Sequence, residues 1–390
     1  LAVSWTSDTA REVSGNHHAP AVGVARDGTA TVYAPVSGRT ETDGCALVAL
    51  DARTGDRRWS HPIPAANCTI HAVADPAVAD YDADGTREVL AATTEDELVA
   101  LDPGTGAVEA VAPLSSYGYT EPIVADLVGG PAPEVVVVDV RGTVFVFRPD
   151  GSLVWRRALE AHTWGQPAVA DVDGDGDPEV AVGGGGSGEL HLFEADGSRA
   201  WAEPVGFDSS ITWTATGQTD DDPGVELVVA TARGGRVAAV DGDGSVAWRR
   251  DLGSMAAVHA VADGDGDGRA EVYAVAVDGR LRALDAATGT TEWSTTLTDA
   301  EVQMTPPPSL GDVDGDGRPD LVAATNDGRV LLVDPRTGAV RSTHERSVPI
   351  YTRPVLADVD GDGDDEVFVT DGHGRVVAFD GRAGTQASGW

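Results

Sequence analysis

The sequence contains no lysine: all 27 basic residues are arginine, set against 64 acidic residues, for a net charge of −37. That balance argues against nucleic acid and anionic membranes as partners, because a field of this sign repels both and attracts cations. Aromatic residues make up only 5% and methionine occurs twice. No apolar run approaches the roughly 18 residues that a membrane-spanning helix needs. No window sustains the 3.6-residue apolar period of an amphipathic helix, which excludes helical solenoids. No leader peptide precedes the strand-like Leu1-Ala2-Val3-Ser4-Trp5; this fits a mature form and says little about export. Only two cysteines occur, Cys45 and Cys68, at a spacing unlike any zinc motif. One disulfide pinning the first repeat is expected, against the alternative of two buried thiols. Asn67-Cys68-Thr69 fits the short N-glycosylation sequon.

What the chain has is a repeat. Hydrophobic residues at 41% and charged residues at 23% are globular proportions, and 390 residues alone would suggest two or three domains. The clearest unit occupies residues 167–205. PAVAD reads as its first strand, EVAVGG as its second after an Asp-Gly turn, ELHLFEA as its third and SRAWAEP as its fourth. Copies open near Pro20, Pro76, Pro122, Thr214, His259, Pro308 and Pro354, about 45–49 residues apart except the first, which carries an insertion near residues 36–44. Four strands in a period near 45 residues predict a blade of a β-propeller. The fold expected is therefore all-β: one domain over residues 1–390, an eight-bladed propeller of four-stranded blades. A linear array would leave open sheet edges. Residues 1–19 are the lead-in, and Leu1–Trp5, which resembles the fourth-strand segment Ser152-Leu153-Val154-Trp155, is expected to pair into the last blade and close the ring. The C-terminal segment at residues 386–390 is short.

Between the first and second strands, five units carry D-x-D-x-D-G-x-x-[DE]. They are Asp80/Asp82/Asp84/Glu88, Asp171/Asp173/Asp175/Glu179, Asp263/Asp265/Asp267/Glu271, Asp312/Asp314/Asp316/Asp320 and Asp358/Asp360/Asp362/Glu366. A hard cation such as Ca²⁺ takes six to eight oxygens. Carboxylates at positions one, three and five of a tight turn converge on one point, the glycine at six permits the bend, and the carbonyl at seven and acid at nine complete the shell. A lone Asp-Gly turn would be ordinary turn chemistry; recurrence at one place in the repeat implies about five structural Ca²⁺ ions. Asp220, Asp222 and Glu226 form a weaker sixth candidate. The turn after Asp126 keeps only Glu134, and the Pro20 unit has no such turn, so neither is expected to hold an ion.

These turns, with the preceding P-x-x-A-D strand, resemble the FG-GAP/VCBS repeats of integrin-type propellers. Residues 49–59 (ALDARTGDRRW) and 283–293 (ALDAATGTTEW) resemble the A-x-D-x-x-T-G-x-x-x-W docking motif of quinoprotein, PQQ-type, eight-bladed propellers. Residues 100–109 and 332–341 are partial copies without the tryptophan, while Trp155, Trp201 and Trp248 keep it without the Thr-Gly. Each fourth-strand indole is expected to pack on a neighbouring blade, its N–H on a backbone carbonyl.

The quinoprotein resemblance invites a PQQ-dependent dehydrogenase, but those enzymes often use a vicinal cysteine pair, which Cys45 and Cys68 are not. Some rhamnogalacturonan lyases also resemble this chain in being Ca²⁺-rich propellers with substrate over the central opening. Loops entering the first strands place His17, His18, Tyr119, Trp164, Trp213 and Tyr351 near that opening, with Glu121, Gln166 and Arg353 beside them. Such residues would stack on and hold an anionic sugar; a plugged channel mouth is the plainer reading. His61, His71, His162, His191, His259, His344 and His373 read as ordinary strand or loop residues. No catalytic residue is assigned. The reading favoured is an exported, halophilic, cell-surface binding and scaffolding module for protein or glycan partners, with self-assembly by strand exchange a lesser alternative.

Overall fold

A computed structural model describes residues 1–11, 15–39, 44–220, 222–304 and 306–381. The segment 386–390 and part of the insertion near 36–44 lie outside the described residues. The chain forms eight four-stranded antiparallel sheets. Blade 1 runs Ala21–Val24, Ala30–Val36, Ala46–Asp51 and Arg57–Pro62. Blades 2 to 7 follow in residues 77–113, 123–158, 168–206, 211–251, 256–296 and 309–345.

Blade 8 is composite. Its inner strands are Val355–Ala357, Glu366–Thr370 and Val376–Asp380, and its outer strand is Ala2–Thr6. Ala2 pairs with Asp380 and Thr6 with Val377, and Ser7 N–H donates to the Val376 carbonyl at 2.9 Å. The first strand of blade 1 also contacts that of blade 8, so the ring is closed.

The core lies between blades. One apolar layer joins Tyr33, Leu47 and Trp59 of blade 1 to Val89, Ala91 and Leu101 of blade 2; another joins Trp5 and Phe368 of blade 8 to Val32 and Leu50 of blade 1. This explains the strand patterns. Second strands such as Glu134–Val138 are buried throughout because both faces meet a neighbouring blade, as in sheets covered on both sides. Outer strands such as Arg57–Pro62 alternate, since the wedge between blades widens towards solvent.

Among the described residues, six indoles lock consecutive blades together. Nε1–H of Trp5, Trp59, Trp155, Trp201, Trp248 and Trp293 donates to the carbonyls of Ala52, Pro103, Ala195, Gly242, Ala286 and Pro335, at 2.7–2.9 Å. Each indole covers a glycine in the acceptor blade's outer turn. At Gly289, where φ is +64°, an added Cβ would lie 2.4 Å from Trp248 Cε3. The turn thus needs glycine both for its left-handed backbone and for the indole's approach.

Blade 4 departs from the expected fourth strand, SRAWAEP. Arg199 makes only an isolated bridge to Phe193, and the strand itself is the two-residue Val205–Gly206. First strands of blades 5 and 6 also begin earlier than expected, as Ile211–Gly217 and Ala256–Ala262. Cys45 and Cys68 are joined, with Cα atoms 5.4 Å apart, which ties the insertion of blade 1 to the loop leading into blade 2. The Asn67 side-chain amide, the sequon nitrogen, donates to the Thr94 carbonyl at 2.8 Å.

Candidate functional site

Each acidic turn is organised by its own backbone before any cation is considered. In blade 4, Asp171 accepts from Gly174 N–H at 2.8 Å and Gly176 N–H at 3.1 Å, Asp173 from Asp175 N–H at 3.1 Å, and Asp175 from Asp177 N–H at 2.9 Å. Blade 8 repeats this through Asp358, Asp360 and Asp362. The result is convergence. One oxygen from each of Asp263, Asp265, Asp267 and Glu271 lies within 4.8 Å of the others, as for Asp80/Asp82/Glu88, Asp171/Asp173/Glu179, Asp220/Asp222/Glu226 and Asp312/Asp314/Asp316. The turn at Asp220 thus shares the arrangement of the stronger candidates.

The ninth-position acid has a second task that sequence reasoning missed. Glu179 Oε2 accepts from Val172 N–H at 2.8 Å, and Glu366 Oε2 from Val359 N–H at 2.9 Å. Glu134 does the same for Leu127 N–H at 3.0 Å, although its turn has lost the aspartates. In blades 3 to 8 this acid thus staples the turn to the second strand with one oxygen, whereas Glu88 Oε2 of blade 2 is buried without a partner. Burial, reinforced by acidic neighbours, pushes Glu88, Glu179, Glu271 and Glu366 up to about 7. Asp80 Oδ1 is buried and accepts no hydrogen bond. An orphaned buried carboxylate oxygen among converging acids fits a hard, oxygen-preferring cation.

Blade 7 differs. Arg341 Nη1 lies 2.7 Å from Asp320 Oδ1 and 3.2 Å from Asp314 Oδ2, and Nη2 lies 2.6 Å from Asp334 Oδ2. A guanidinium thus enters this acid cluster as a resident positive charge. At the same outer-strand place, one residue before Ala110 and Trp293, blades 2 and 6 carry Glu109 and Glu292.

At the axial mouth, His17, His18, Tyr119, Trp164, Trp213, Tyr351 and Arg353 all line one cavity of about 110 Å³. The rings bridge blades: His17 to Tyr351 at 4.6 Å, His18 to Tyr119 at 4.9 Å and His71 to Tyr119 at 4.7 Å between centroids. Gln166 Oε1 accepts from the Glu121 N–H at 3.0 Å while its Nε2 donates to the Glu121 carbonyl at 3.1 Å, a side-chain copy of strand pairing. Arg353 is not a free cation: its Nη2 lies 2.9 Å from Glu121 Oε2. An anionic sugar would therefore have to compete with a built-in carboxylate.

The sequence placed His71 among ordinary residues; it belongs to this mouth, and Asp75 with it. His18 Nδ1 lies 2.9 Å from Asp75 Oδ1, and His18 Nε2 lies 3.2 Å from His71 Nδ1. His17, Tyr119, Trp164 and Tyr351 sit four residues ahead of their first strands, a periodic signal. His71 falls off that offset. Burial, with the neighbouring histidines adding to it, lowers His71 to about 3 and His17 to about 4.

Fold and turns together define an eight-bladed propeller with acidic, cation-suited inner turns and indole-locked blades. Residues 2–146 and 186–390 match the PQQ-like family model described as outer membrane protein assembly factor BamB, and the chain belongs to that family. Residues 163–201 also match the FG-GAP repeat. A search of curated proteins finds no match in sequence. Among solved structures, BamB from Moraxella catarrhalis is 18% identical with a TM-score of 0.63, over 92% of this chain and 93% of that one. The V. cholerae biofilm matrix protein Bap1 is 16% identical with a TM-score of 0.70, over 96% and 90%. The computationally designed Ika8 protein is 15% identical with a TM-score of 0.67, over 97% and 99%. At these identities the likeness shows the fold alone.

Proposed function

We propose that this chain is a Ca²⁺-stabilised binding and scaffolding module of the cell surface, which presents its axial face to protein or glycan partners. The observation that carries the reading is the recurrence, in successive blades, of carboxylates that converge within 4.8 Å of one another at the same turn. The ions are structural in this reading. The unfolded chain does not preorganise the ligands, so cation binding favours the native ring by mass action. The Cys45–Cys68 bond supports an oxidising compartment, and the lysine-free acidic surface suits high salt.

Recognition falls to the aromatic mouth. Trp164, Trp213, Tyr119 and Tyr351 give ring faces, while Arg353 is compensated by Glu121. The surface therefore suits the apolar face of a sugar ring or an aromatic side chain better than a bare anion. The test combines calorimetry with chelation. EGTA lowers the melting temperature sharply and calcium titration returns about five ions; an unchanged melting temperature overturns the structural role. Glycan-array binding lost on Trp164→Ala or Trp213→Ala supports the recognition role. Turnover of an acidic polysaccharide, abolished by Tyr119→Phe, would instead make the protein a lyase.

A further inference from the structure

We propose that the axial mouth holds a nitrogen-ligated transition-metal site, built on His18 Nε2 and His71 Nδ1 and separate from the acidic turns. Asp75 fixes the tautomer of His18. Its Nδ1 lies 2.9 Å from Asp75 Oδ1, and Asp75 is itself fixed by the Ala19 N–H at 3.1 Å. A carboxylate accepts and does not donate, so Nδ1 carries the proton and donates it. In the neutral imidazole the lone pair is therefore on Nε2, directed at His71. A carboxylate behind an imidazole that turns its other nitrogen outward is the arrangement by which proteins orient histidine on zinc.

The two facing nitrogens are 3.2 Å apart. Two Zn–N bonds of ~2.0 Å spanning that separation subtend about 106°, close to the tetrahedral angle. For a cation to replace the proton that His71 Nδ1 gives up, both rings turn by roughly 35–40°, so that their lone pairs converge beside the N···N line. His17 lies beside the pair, its ring centroid 5.5 Å from that of His71, close enough for a side-chain rotation to bring in a third imidazole. His17, His18 and Asp75 line the axial cavity, from which the remaining positions would be filled. Such an open shell takes water or an oxygen or nitrogen donor from a ligand.

Imidazole suits zinc, copper and nickel, whereas Ca²⁺ takes oxygen. The two kinds of site are therefore separable in one experiment. With the full chain in excess Ca²⁺, Zn²⁺ is titrated by calorimetry and Co²⁺ by its visible absorption. One ion per chain is expected, lost in His18→Ala and in His71→Ala. Asp75→Asn weakens binding about 10- to 100-fold, the usual effect of removing an outer-shell partner. Thermal melting in Ca²⁺ verifies that each variant is folded, and His71→Gln replaces any that is not. Zinc-soaked crystals give an anomalous peak within ~2.1 Å of both nitrogens. No uptake, uptake unchanged by His71→Gln, or a peak confined to the acidic turns overturns the proposal and leaves the Asp75–His18–His71 chain as hydrogen bonds alone.

Discussion

Arg353 of the loop entering blade 8 meets Glu121 of the loop entering blade 3 at 2.9 Å, across 232 residues and across the axial opening. Neighbouring blades are held by sheets of apolar contact, but these two blades are not neighbours. The ion pair therefore braces the ring along a chord.

Removing one partner strands the other. Burial raises the pKa of Glu121, against the opposing pull of Arg353, yet its side chain keeps 32% of its surface open to the channel. The pair is thus only partly desolvated. Arg353→Met is expected to cost about 1–2 kcal/mol, below the range for fully buried pairs. Arg353→Met with Glu121→Gln should cost less than the two single changes added. Urea unfolding in Ca²⁺ measures this; strict additivity removes the coupling.

The indole locks predict an order of losses. Trp248→Phe keeps much of the packing but leaves the Ala286 carbonyl without its 2.7 Å donor, at about 1–3 kcal/mol. Gly289→Ala drives a Cβ into Trp248. Gly28→Ala meets nothing within 4 Å at φ +79° and costs the left-handed backbone alone, about 1–2 kcal/mol. Denaturation midpoints should rank Gly289→Ala well below Gly28→Ala; equal losses would show that the indole yields freely.

Arg341 should make blade 7 the weakest calcium binder of the five acidic turns proposed to hold one. A guanidinium already neutralises Asp314 and Asp320. Arg341→Gln should destabilise the calcium-free protein, tighten one class of sites in calorimetry and raise the melting temperature gained on adding Ca²⁺. A site held at 100 times its Kd contributes about 2.7 kcal/mol. If the variant binds Ca²⁺ no better than the parent, Arg341 is not the competitor.

Acid should weaken the fold through His259. Burial, helped by Arg353, lowers this imidazole to about 3, against about 6.5 in an unfolded chain. Between those values the unfolded state binds more protons, so stability falls as pH drops below about 6.5. His259→Gln should flatten the dependence, by about 2 kcal/mol at pH 5. The comparison is made on the difference between parent and variant, which cancels the carboxylates of the turns. A parallel pair of pH profiles would exclude this histidine.

The ring was legible because its punctuation repeats: Asp-Gly turns, Thr-Gly turns and tryptophans recur at fixed offsets, and the Ala2–Thr6 closure followed from its likeness to a Trp-bearing strand. Blade 4 was misread at its rim because local alternation in SRAWAEP looks like a strand. Trp201 still reaches the Gly242 carbonyl, so docking is kept while the strand is deferred to Val205–Gly206. His71 and Asp75 escaped because the loop following Cys68 is not in step with the other blades. Nor does spacing reveal that a ninth-position acid accepts a backbone N–H of its own turn.

Blade 8 exists only when two segments 369 residues apart have met. During synthesis, Ala2–Thr6 waits unpaired while seven sheets assemble, and contacts this distant in sequence form late. Until then Val376–Asp380 offers a bare edge that carries the apolar Val377 and Phe379. Such an edge accepts whichever strand reaches it first. The rim that seals the finished molecule is therefore also the place where two nascent copies, crowded together, would exchange ends.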